Sequence, residues 1–103
     1  MSAKLALTTF AREDFAEARI WYDQERPGLG DEFAADFYAA LHAIEAAPSA
    51  QTPSYPPFRR RRFGRFPYSV LFHIEPAAIY VVAVVHRQRS PEFVLAQLNR
   101  RPS

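Results

Sequence analysis

The chain has 103 residues, 49% hydrophobic and 15% aromatic, with a formal net charge of +2 and no cysteine. That length bounds one domain, and its apolar and aromatic content is enough to fill a packed core, which excludes wholesale disorder. A disulfide framework and thiol chemistry are excluded, and the longest apolar run, Ala77–Val85, is far short of the roughly 20 residues of a membrane-spanning helix. The opening MSAKLALTTFARED has too short an apolar run for a secretory signal, so a soluble, cytoplasmic protein is expected.

Lys4 to Thr8 alternates weakly and reads as a first strand. Thr9 is placed to cap a helix, with Glu13 and Asp14 close to the first turn, where the helix dipole favours acids. Ala11, Phe15, Ala18 and Tyr22 recur at helical spacing with Trp21 beside them, which assigns Trp21 and Tyr22 to the core or a helix interface. The helix stops before Pro27, and Arg26-Pro27-Gly28-Leu29-Gly30 is a short connection. A second helix from about Asp31 carries the stripe Phe33, Phe37, Leu41 and Ile44 and ends near Pro48. So short a link implies an antiparallel helical hairpin.

Ser49 to Pro57, with three prolines, reads as a loop. The period then becomes strand-like. Arg59–Phe63 is expected to be a strand with arginines on both faces. In the next strand Tyr68, Val70, Phe72 and Ile74 alternate with Ser69, Leu71, His73 and Glu75. Glu75-Pro76-Ala77-Ala78 forms a turn into Ile79–Val85, whose mostly β-branched apolar run suits a strand covered on both faces. Glu92–Arg100 is expected to be a short helix bearing Phe93, Leu95 and Leu98. This order predicts an α+β domain: an N-terminal strand, then an antiparallel helical hairpin packed on a curved, mostly antiparallel sheet, β-α-α-β-β-β with a short C-terminal helix.

Most enzyme signatures are missing: there is no phosphate-binding glycine loop and no GxSxG elbow. His42, His73 and His86 lack metal-ligand spacing, and no metal or cofactor is expected. His42 and His73 read as partly exposed polar residues, and Asp31, Glu32 and Asp36 as compensation for the second helix's dipole. The arginines stand out. Arg59, Arg60, Arg61, Arg62 and Arg65 fall within seven residues, and Arg87 and Arg89 follow His86 at the end of the last strand. On a strand Arg60 and Arg62 share one face and Arg59 and Arg61 the other. Such a cluster is either a solvated edge strand protected by charge or a surface that grips phosphate or carboxylate.

Five segments carry a family resemblance: AREDFAEARIWY (Ala11–Tyr22), PGLGDEF (Pro27–Phe33), IEAAP (Ile44–Pro48), RRFGRFPYSVLF (Arg61–Phe72) and VVHRQRSP (Val84–Pro91). In this order and spacing the chain resembles the RelE/ParE superfamily of toxins from type II toxin–antitoxin systems, often labelled plasmid stabilisation proteins. The resemblance spans nearly the whole chain, so residues 1–103 are expected to be one such toxin domain, with two helices on an antiparallel sheet. One branch of the superfamily cleaves messenger RNA on the ribosome, another poisons DNA gyrase by binding, and some members show no evident toxicity.

The nuclease branch uses basic residues on the strand before the central hairpin, an arginine after the tyrosine that opens the next strand, an arginine after the last strand, and a tyrosine further on. Arg60, Arg62 and Arg87 match, but Ser69 and Phe93 stand where arginine and tyrosine are required. Phenylalanine transfers no proton, and arginine stays protonated. The resemblance therefore implies a ParE-like inhibitor of DNA gyrase, without a cofactor and neutralised by a cognate antitoxin. Arg59, Arg60, Arg61, Arg62, Arg65, Arg87 and Arg89 are the expected antitoxin- or target-binding residues. The alternatives are a ribosome-dependent mRNA endonuclease with an altered site of Arg60, Arg62, His86, Arg87 and Arg89, and a non-toxic binding module.

Overall fold

The computed structural model describes residues 4–101. Strand β1 (Lys4–Leu7) leads into helix α1 (Thr9–Glu25). Thr8, rather than Thr9, is the N-cap. Its Oγ1 accepts from the Ala11 N–H at 3.2 Å, while its own N–H still donates to the Val81 carbonyl at 3.0 Å. Thr8 thus finishes the strand and starts the helix in one residue. Neither Glu13 nor Asp14 lies in the first turn.

Helix α2 (Leu29–Ala46) begins two residues earlier than expected, and both glycines of the connection have a steric reason. Gly28 has φ of 89°, the left-handed region that glycine enters without penalty. Gly30 is buried where α1 and α2 meet. A Cβ there would lie 2.6 Å from Asp23 Cγ and 2.7 Å from the Arg19 carbonyl oxygen. Asp23 Oδ1 also accepts the Gly30 N–H at 2.7 Å, tying the end of α1 to the start of α2.

Four strands follow: β2 (Thr52–Pro53), β3 (Arg59–Arg62), β4 (Tyr68–Ile74) and β5 (Ala78–His86), then helix α3 (Pro91–Arg100). The sheet order is β1-β5-β4-β3-β2, with β1 parallel to β5 and the other pairs antiparallel. β2 lies inside the segment expected to be a loop. A proline is tolerated there because the strand is at an edge. Since β2 pairs with Arg59 and Arg60, only the second half of β3 is exposed as an edge.

The hairpin covers one face of the sheet, where Phe33, Phe37, Ile44, Val70, Phe72, Ile79 and Val81 are almost wholly buried. On the other face Leu71, Val82 and Ala83 pack against Val94 and Leu98 of α3, flanked by Tyr55 and Phe58. The β4–β5 register jumps from Leu71↔Ala83 to Phe72↔Val81, so Val82 is an inserted residue. This bulge turns Val82 and Ala83 to the same face, while Ile79, Val81 and Val84 pack on the other, so both faces of β5 are apolar. Trp21, expected in the core or a helix interface, is 54% exposed, and on α3 Leu95 is 43% and Phe93 39% exposed. The inward stripe of α3 is Val94 and Leu98, four residues apart as a helix requires.

β1 ends opposite Val81, so among the described residues β5 has no strand neighbour on that side from Val82 onward. Two side chains replace it. Asp14 Oδ2 accepts the Val84 N–H at 3.0 Å, and Arg101 donates to the Val82 carbonyl at 3.0 Å. Arg101 also grips both oxygens of Asp14 at 2.9 Å.

Candidate functional site

The structure divides the arginine cluster by face. Arg59 and Arg61 pair with Phe72 and Val70, hence face the hairpin side. Arg59 donates to the carbonyls of Ser49 at 3.3 Å and Gln51 at 3.0 Å, and Arg61 reaches Gln51 Oε1 at 3.4 Å. Arg65 binds Glu32 at 3.0 Å and lies over the Phe66 ring. These three hold the molecule's own loops. The Arg65 and Arg26 guanidiniums together hold the Glu32 carboxyl below its ordinary range. Asp36, read as dipole compensation, instead accepts the consecutive N–H groups of Gly64, Arg65 and Phe66 at 3.0, 2.9 and 2.9 Å.

Arg60 and Arg62 pair with Leu71 and Ser69, on the α3 side of the sheet. Neither they nor Arg87 makes a side-chain hydrogen bond or ion pair with another described residue. Ser69, in the position where the nuclease branch has arginine, is 94% buried beneath this face, its relative exposure being 6%. His86 lies on the hairpin side, its ring 5.0 Å from that of its cross-strand partner Tyr68. The alternation of side chains thus sends His86 to one face and Arg60 and Arg62 to the other. The five residues of the altered nuclease site are not brought together.

His86 and Arg89 belong instead to a groove of about 450 Å³ along the open edge of β5, between α1 and α3. Asp14, Glu17, Trp21 and Tyr22 line one side, and Arg89, Phe93 and Gln97 the other, with Tyr68 and His86 at one end. Arg89 stacks on the Phe93 ring, its guanidinium carbon 4.6 Å from the centroid. The His86 Nδ1 accepts the Gln88 N–H at 3.0 Å, which leaves the ring proton on Nε2. Burial raises the pKa of both Tyr22 and Tyr68, each phenol also sensing the other, while the Arg89 charge pulls Tyr68 back. Sequence reasoning missed Glu17, Trp21, Tyr22 and Tyr68 as groove residues. A signal existed for Trp21, which lies off the Ala11–Phe15–Ala18–Tyr22 stripe. Among the described residues no group of three or more His, Cys, Asp or Glu could hold a metal ion, and no helix is long and apolar enough to cross a membrane.

A helical hairpin on a mixed sheet, with a basic third strand and a short helix on the opposite face, is the architecture expected of a RelE/ParE superfamily toxin. The chain belongs to the ParE toxin family: the family described as "ParE toxin of type II toxin-antitoxin system, parDE" matches residues 5–91. Among solved structures, "Chromosomal ParDE TA system from P. aeruginosa" is similar in fold, with a TM-score of 0.74 and 20% identity, covering 82% of this chain and 96% of that one. No curated protein matches the sequence.

Proposed function

We propose that this toxin arrests growth by binding DNA gyrase in the cytoplasm and is neutralised by a cognate antitoxin. The observation that carries this reading is the dispersal of the nuclease positions. Ser69 is buried, Phe93 has no proton to give, and His86 faces away from Arg60 and Arg62. Phosphodiester cleavage needs a proton acceptor within reach of the hydroxyl that attacks, beside cations on the phosphate. The family places the chain in a toxin–antitoxin pair. An acidic antitoxin segment suits the α3 side of β3, where the Arg60 and Arg62 side chains have no hydrogen-bond or ion-pair partner among the described residues, with Arg87 just past the end of β5 in sequence.

Pulse-labelling of DNA and protein synthesis after inducing this chain alone tests the target. DNA synthesis should fall first, with translation intact. An early fall in protein synthesis would replace this reading with the mRNA endonuclease. For the antitoxin, Arg60→Glu combined with Arg62→Glu should weaken the complex with the protein encoded beside this gene at least tenfold. Unchanged affinity would move the antitoxin contact elsewhere.

A further inference from the structure

We propose that the groove between α1 and α3 is a second docking site, which takes a peptide segment bearing one carboxylate side chain beside an aromatic or large aliphatic one. It shares with the function proposed above only the premise that a protein partner binds this chain. Its ligand chemistry is read from the groove itself.

The apolar half comes from two rings that folding leaves uncovered. Trp21 is 54% exposed and Phe93 39% exposed, and both line the same concavity from opposite walls. Solvent-exposed aromatics around one groove are a common means of holding a partner's apolar side chain. The polar half is a set of donors. Arg89 has no carboxylate partner among the described residues, and stacking on Phe93 holds its planar fork in place. The Tyr68 hydroxyl senses the Arg89 charge, and His86 has its Nδ1 occupied by Gln88 and offers Nε2–H. Arginine, phenol and imidazole N–H in one recess match a carboxylate.

The acids of the groove narrow the choice. Asp14 is already neutralised by Arg101 at 2.9 Å, so it repels little. Glu17, on the α1 wall, is not engaged in an ion pair with a described residue. One anion fits at the Arg89 end, whereas a chain of phosphates would meet Glu17. The same acid can accept a peptide N–H. The backbone edge is itself partly occupied, because Asp14 and Arg101 already hold the Val84 N–H and the Val82 carbonyl. The segment is therefore gripped mainly through its side chains.

Trp21 is the only tryptophan among five tyrosines, so emission excited selectively at tryptophan reports on this groove. The probes are two synthetic peptides, acetyl-Leu-Phe-Asp-Leu-amide and its Asn counterpart, titrated into the purified protein. The Asp peptide should shift the Trp21 emission saturably and bind about fivefold or more tighter than the Asn peptide, the scale of one charge-assisted contact at a partly exposed site. Arg89→Gln should abolish that preference, while Arg60→Gln with Arg62→Gln should keep it. An unmoved Trp21, equal response to the two peptides, or a preference that survives Arg89→Gln would overturn the proposal. So would tighter binding of oligouridylate than of the Asp peptide, which would make the groove a nucleic-acid site. Because the titration uses no gyrase and no cells, its result is independent of the pulse-labelling result.

Discussion

Arg59 and Arg60 are neighbours in sequence, yet the pleat sends them to opposite sides of the sheet and to opposite tasks. Arg59 holds the carbonyls of Ser49 and Gln51, so Arg59→Gln should lower stability by about 1 kcal/mol in urea unfolding, the net size of such hydrogen bonds. Arg60→Gln should stay within about 0.5 kcal/mol, because the partly buried side chain makes no hydrogen bond or ion pair with another described residue. The split into two faces was legible from the period of two alone. Which face was free was not, since the partners come from a loop and from α2, far along the chain. Titration at single residues has a sign as well. Burial keeps Tyr22 and Tyr68 protonated above their ordinary value of 10.0, so the unfolded chain ionises first. Their contribution is full below pH 10 and is lost as pH rises through the raised folded values. The urea midpoint should therefore fall above about pH 10, and less steeply in Tyr22→Phe. Glu32 has the opposite sense: its depressed pKa contributes above the ordinary glutamate range and is lost as pH falls through the folded value.

The link between α1 and α2 shows how a few residues set the approach of two elements. Gly30→Ala inserts a methyl group 2.7 Å from a backbone oxygen, so α2 must move outward or Asp23 must let go of the helix. A loss of about 2 kcal/mol is expected by urea unfolding, typical of an overpacked contact. Gly28→Ala meets no neighbour but must hold φ near 89°, a smaller cost of about 1 kcal/mol. The two long helices could be read from sequence because their stripes repeat over several turns. α3 could not be oriented in the same way. Phe93, Leu95 and Leu98 do not share one helical face, and the Val94–Leu98 pair that faces the sheet is a single turn of pattern. β2 is two residues long, too short to show any period, and the β5 bulge is hidden because both faces of that strand are apolar.

For the molecule as a whole, the contact of Asp14 with Arg101 joins residues 87 apart and closes the open half of β5. Both side chains are largely buried, Arg101 at 12% and Asp14 at 16% exposure, so removing one charge leaves the other unpaired. Asp14→Asn should cost about 3 kcal/mol, and adding Arg101→Gln should cost clearly less than the sum of the two single changes, as a double-mutant cycle in urea would record. This pair was out of reach of the sequence, which placed Asp14 at a helix start. Its geometry also fixes a timetable. β1 and α1 leave the ribosome before their partners, since β1 pairs only with β5 among the described strands and the α1 carboxylate waits for residue 101. Distant pairing of this kind delays folding until β5 has emerged. Whatever the finished sheet binds, it can bind only after β5 has left the ribosome and taken β1 as its neighbour.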